Sequence, residues 1–238
     1  MSTNPYLTQY PYFTRIVPSD EIQVKAMIEV LNHFNWQYIS FVYSLNWYGL
    51  EAYLLLSAYL RQPGSRICLA AEVALPENPS DGDYEKVVEM LLQGNDGRGS
   101  HVVILFLPQF SAISVLKVAQ ENGLEGRFTY IASDAWGRNT QDFSGVEKIA
   151  AGALTMKINS TNDPEFDRHF ANLNPTNSIN PFLPEFWNVA CNQSDEQCLR
   201  ARGFGDLDTY QPETTITLVK MAVTFLAHRI DELQRECK

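Results

Sequence analysis

Three short segments of this 238-residue chain carry acids and aromatics in a combination that chemistry could use. One runs from Arg15 to Asp20, a second from Ser44 through Trp47 and Tyr48 to Gly49, and a third from Ile131 through Asp134 and Trp136 to Gly137. Carboxylates only accept hydrogen bonds when ionised, and they accept most strongly from charged donors. A tyrosine ring adds cation–π attraction of roughly 0.5–2 kcal/mol. Asp20, Tyr48 and Asp134 would therefore suit a positively charged group if the fold brought them together. Each also has a plainer reading: Asp20 as a helix N-cap, Tyr48 as a packing aromatic, Asp134 as the end of a strand. The formal net charge of -10, from 28 acidic against 18 basic residues, leaves room for a cation. It repels phosphate backbones and anionic membrane surfaces, so no nucleic-acid partner is expected.

Other chemistries find little support. The glycine-rich stretch Gly94-Asn-Asp-Gly97-Arg-Gly99 follows a helical pattern and precedes a strand pattern. A phosphate cradle needs the reverse order, so this stretch reads as a turn. No Gly-x-Ser-x-Gly elbow exists. His33, His101, His169 and His228 are scattered singly, with no partner at a spacing useful to a base or a metal ion. We therefore expect a chain that is not an enzyme, with no cofactor and no metal site.

The elements that must position the three segments are legible from periodicity. Tyr38–Tyr43, Ile67–Leu75, His101–Leu107, Phe128–Ser133 and Ala151–Ile158 read as strands, the last at an edge. His101–Leu107 is almost continuously apolar, as strands buried on both faces of a parallel sheet are. Between them lie helical patterns over Glu21–Phe34, Tyr48–Leu60, Tyr84–Leu92 and Ser111–Glu121. In the first, Ile22, Ala26, Val30 and Phe34 are expected on the buried side. From Asp163 the pattern is helical, over Phe166–Leu173, Leu183–Val189 and a final helix. Ile216, Val219, Val223, Leu226, Ile230 and Leu233 stripe that last helix. The expected class is α/β, an open, mostly parallel sheet with helices on both faces and no linker across residues 1–238. Ligands in such sheets settle at the carboxyl ends of strands, where the three segments fall.

Cys191 and Cys198 bound a short polar loop without zinc-ligand spacing; a local disulfide is the better reading, with two unrelated thiols as the alternative. Asn159 and Asn192 head glycosylation tripeptides, Asn192 within that same loop. No stretch reaches the roughly 18 apolar residues of a membrane span, and the start, Met1-Ser-Thr-Asn-Pro5, is too polar for a signal peptide. A fragment of a secreted or cell-surface protein accommodates these features together.

The run Tyr10-Pro-Tyr-Phe-Thr-Arg-Ile-Val-Pro-Ser-Asp20 resembles the entry to the second lobe of class C G-protein-coupled receptor ligand-binding domains, most of all metabotropic glutamate receptors. The same resemblance holds for Phe34-Asn-Trp36-Gln-Tyr38, Trp47-Tyr48-Gly49, Ile67-Cys68, Ala132-Ser-Asp134-Ala-Trp136 and Asn180-Pro-Phe-Leu-Pro-Glu-Phe-Trp187. It implies a periplasmic-binding-protein-like type I lobe spanning 1–238, the second lobe of a two-lobe clamshell. The first lobe, cysteine-rich stalk and membrane region would lie outside this chain. It further implies that Asp20, Tyr48 and Asp134, with Thr3, grip the ammonium group of an amino acid, L-glutamate foremost. The partner of Cys68 would lie in the stalk and that of Cys237 further along the chain, leaving both thiols unpaired here. The parent would be a homodimeric receptor signalling through a G protein, with this region on the extracellular side of the plasma membrane. Other readings kept open are a receptor for another amino acid, a taste-type ligand or calcium, and a stand-alone solute-binding lobe.

Overall fold

The computed structural model describes residues 13–136, 143–190, 201–207 and 215–236. The chain divides into two compact units, residues 1–158 and 159–238. The first unit is built on five parallel strands: β1 (Tyr38–Ser44), β2 (Cys68–Leu75), β3 (Val102–Phe106), β4 (Thr129–Ala132) and β5 (Leu154–Thr155). Four helices accompany them: α1 (Asp20–His33), α2 (Trp47–Leu60), α3 (Asp81–Gln93) and α4 (Gln109–Glu121). The strand order is β2-β1-β3-β4-β5 and every pairing is parallel, in line with the expected α/β class.

Strand alternation divides the core into two layers. Val103 and Leu105 of β3 join Val42, Val73 and Tyr130 under α3 and α4. Val102, Ile104 and Phe106 face the other way and join Ile39, Phe41 and Ile131 under α1 and α2. All five residues of β3 are buried, which accounts for its uninterrupted apolar sequence. β5 is an edge strand, but it is two residues long where the sequence suggested eight. Gly152, at φ +81°, keeps the preceding segment in a turn.

The buried side of α1 differs from the expected one. Val24, Met27, Ile28 and Leu31 face the core, whereas Ile22 and Phe34 are more than half exposed. A row taken at strict intervals of four slants around the helix, and the 24-27-28-31 pattern follows the true 3.6-residue period more closely. The Gly94–Gly99 stretch is a turn between α3 and β3, with Gly94, Gly97 and Gly99 all at positive φ.

The second unit contains α5 (Pro164–Ala171), α6 (Leu183–Ala190) and α7 (Ile216–Glu236). Its small apolar cluster centres on Leu183, Phe204 and Leu207, with Phe170 stacked on Phe204 at 4.9 Å between centroids. Asp163 caps α5 by accepting from the Phe166 amide at 3.0 Å, and it also binds Lys220 of α7 at 2.7 Å. The stripe expected on α7 is present in sequence, yet no residue of that helix is buried. No helix among the described residues is long and apolar enough to cross a membrane.

Candidate functional site

The order β2-β1-β3-β4-β5 reverses direction at β1, which makes the carboxyl ends of β1 and β3 a topological switch point. Tyr48 stands there because β1 ends at Ser44 and α2 begins at Trp47. Asn46 caps α2 by accepting from the Gly49 amide at 3.2 Å, and its Oδ1 also accepts from Ser44 Oγ at 2.8 Å. This short link leaves no room between strand and helix: a Cβ on Gly49 would run into the backbone carbonyl of Ser44. The Tyr48 ring lies against Phe106, the last residue of β3, at 4.5 Å between centroids.

Asp134 opens a short 3-10 turn, Asp134–Trp136, just past the end of β4. Its Oδ1 accepts from the Tyr48 hydroxyl at 2.8 Å. It also accepts from Gln23 Nε2 at 3.2 Å, while Gln23 Oε1 takes the Asp134 backbone N–H at 2.6 Å. Asp20, the first residue of α1, is 5 % exposed. It is not the N-cap that its sequence position suggested: Ser19 holds that place, in extended backbone conformation.

The electrostatics tie the three residues together. Burial is the main cause that pushes the Asp20 carboxyl above the usual carboxylate range, and the negative charge of Asp134 adds a smaller push in the same direction. Burial also pushes the Tyr48 phenol far above its ordinary range, with the Asp134 charge reinforcing the shift. Tyr48 therefore stays protonated and donates throughout the physiological range. The sheet thus brings Tyr48 and Asp134 into direct contact and holds Asp20 within electrostatic reach of both. Two carboxylates and a phenol at one rim are groups that can accept hydrogen bonds from a charged donor.

A stability prediction follows from Asp20. Its raised value means that the folded chain holds the Asp20 proton more firmly than the unfolded chain. Stability therefore falls as pH rises from the ordinary value of 3.8 through the raised one. Asp20→Asn is expected to raise the melting temperature by a few degrees at neutral pH, with the gain vanishing below about pH 4. Thermal unfolding across pH checks both the sign and the window.

The remaining candidates lie elsewhere. Thr3, Cys191, Cys198, Asn192 and Cys237 fall outside the described residues. Asn159 is exposed at the start of the second unit, and Cys68 is an exposed free thiol at the start of β2. His33, His101, His169 and His228 are all exposed. Among the described residues no group of three His, Cys, Asp or Glu side chains is placed to hold a metal ion. A cavity of about 380 Å³, lined among others by Asn32, Trp36, Tyr59 and Arg66, opens at the amino-terminal edge of the sheet, away from Asp134. Gln23 has no place in the sequence reading; its one signal is a position one turn after Asp20 on the same helix.

An open parallel α/β sheet with an acid–phenol cluster at its switch point is an architecture in which ligands settle at the carboxyl ends of strands. Residues 1–237 match the family described as receptor family ligand binding region, and the chain belongs to that family. It is 30% identical to metabotropic glutamate receptor 6 of Oryctolagus cuniculus, over 98% of this chain and 28% of the relative. It is 29% identical to metabotropic glutamate receptor 4 of Rattus norvegicus, over 99% of this chain and 27% of the relative. The chain is thus metabotropic-glutamate-receptor-like and spans about 28% of the length of such relatives. The relatives are named as receptors.

Proposed function

We propose that the sheet-bearing unit is one jaw of a clamshell that binds an α-amino acid in the extracellular part of a class C G-protein-coupled receptor. Asp20, Tyr48 and Asp134 hold the ligand's ammonium group. The observation that carries this reading is the 2.8 Å hydrogen bond from Tyr48 to Asp134, beside a second, buried acid. An ammonium has three donors and no acceptor, so it complements two carboxylates, while the phenol ring offers its face. L-glutamate is the favoured ligand, because the relatives are named for it and the short Asp134 side chain resembles their branch. Binding that strengthens on closure would shift the receptor toward its closed, G-protein-signalling population. The homodimer of the parent belongs to this same proposal.

Tyr48 gives the test. Tyr48→Phe keeps the ring on Phe106 and the cation–π face, so amino-acid affinity should change by no more than about threefold. Tyr48→Leu removes ring and hydroxyl together and should weaken binding roughly tenfold or more. Titration calorimetry on the complete ligand-binding region reads both. A leucine variant that binds as tightly as the phenylalanine variant removes Tyr48 from the site.

A further inference from the structure

We propose that Gln23 is a positioning and selectivity residue: by occupying Asp134 Oδ1 together with Tyr48, it leaves one carboxylate oxygen to the ligand and so favours ammonium over guanidinium. The inference rests on the cation-binding reading of the site. A carboxylate oxygen has two lone pairs. On Asp134 Oδ1 both are taken, one by the Tyr48 hydroxyl at 2.8 Å and one by Gln23 Nε2 at 3.2 Å. No donor from the described residues reaches Oδ2. An ammonium is a compact donor that needs only one oxygen, whereas a guanidinium binds a carboxylate best as a two-pronged fork across both. With Oδ1 already filled, the fork loses one prong and the ammonium loses nothing.

Gln23 also fixes where Oδ2 points. Its Oε1 accepts the Asp134 backbone N–H at 2.6 Å, so a single side chain of α1 clamps main chain and side chain of the β4 turn at once. Gln23 lies one helical turn after Asp20. The two acids of the cluster are therefore held in register through one rigid element, although Gln23 and Asp134 are 111 positions apart in sequence.

The test uses the 238-residue chain, with methylammonium and methylguanidinium as probes, titrated by NMR below denaturing concentrations. For the unaltered chain we expect methylammonium to bind at least about fivefold more tightly. Gln23→Leu should bring the two cations within about twofold and speed hydrogen exchange of the Asp134 amide at least tenfold, because its acceptor is gone. A merely structural role would not move the ratio of the two probes. If methylammonium binds but the ratio is the same in Gln23→Leu, the selectivity inference fails alone. If the Asp134 amide exchanges no faster in Gln23→Leu, the clamp fails. If neither cation binds the unaltered chain, the cation-binding reading fails and the selectivity inference with it.

Discussion

Asp134→Asn is expected to lower amino-acid affinity of the complete ligand-binding region by roughly 10- to 100-fold. The asparagine side chain has the size of aspartate and keeps an oxygen for Tyr48 and Gln23, so the hydrogen bonds that shape the turn survive. The charge is lost, and the oxygen left to the ligand becomes an N–H donor that an ammonium cannot use. Hydrogen bonds to a charged group contribute about 1.5–3 kcal/mol, and each 1.4 kcal/mol is a factor of ten in affinity. Asp134→Ala should bind no better and should also lose stability, because Tyr48 and Gln23 are then left half-buried without their acceptor. Titration calorimetry separates the two variants: a common loss of affinity, with a drop in melting temperature for alanine alone. An asparagine variant with undiminished affinity removes Asp134 from the binding surface.

Gly49→Ala carries the largest expected effect on folding. The added methyl would meet the carbonyl oxygen of Ser44 and lie 2.5 Å from its backbone nitrogen. Neither atom belongs to a flexible side chain, so β1 and α2 must move apart. Overpacking of this kind costs on the order of 3 kcal/mol, which for a chain of this size lowers the melting temperature by about 6–12 °C. Gly82→Ala is the control. Gly82 lies inside α3 with nothing near its added methyl, so alanine there should be neutral or stabilising by up to about 1 kcal/mol. Thermal unfolding followed by circular dichroism measures both. Since Tyr48 precedes Gly49 directly, whatever Gly49→Ala molecules fold should also bind more weakly. A Gly49→Ala chain as stable as the unaltered one would mean that the tight link does not hold Tyr48 in place.

The parallel sheet was legible because each of its strands obeys a local rule. β3 reads as a two-faced core strand because all its residues are buried, and β1 because branched and aromatic residues alternate between two layers. The face of α1 departs from expectation for the opposite reason: apolar residues occur around much of that helix, and spacing alone does not choose among them. Packing chose Val24, Met27, Ile28 and Leu31. The α7 stripe illustrates a further limit. Its periodicity correctly marks a helix, but periodicity does not say what covers the stripe.

For the site, residue type and family resemblance carried what spacing could not. Tyr48 and Asp134 are 86 positions apart, and no local pattern reports that the ends of β1 and β4 lie at one rim. Their types pointed toward a cation only once the resemblance placed them on matching loops. Gln23 stayed hidden because a glutamine on a helix reads as surface, and its two hydrogen bonds exist only after α1 has packed beside the β4 turn. Asp20 read as a possible helix cap. Its burial, which gives it electrostatic weight, is a property of the folded unit.

Asp20, Tyr48 and Asp134 are proposed to bind a positively charged nitrogen. The most direct measurement compares L-glutamate with glutarate, which has the same two carboxylates and chain length but no amino group, by calorimetry on the complete ligand-binding region. Loss of a charge-assisted contact to two acids should make glutarate bind at least about 100-fold more weakly. Equal affinity for glutamate and glutarate would mean that Asp20, Tyr48 and Asp134 contribute nothing to recognition of the ligand and that this surface is not an ammonium site.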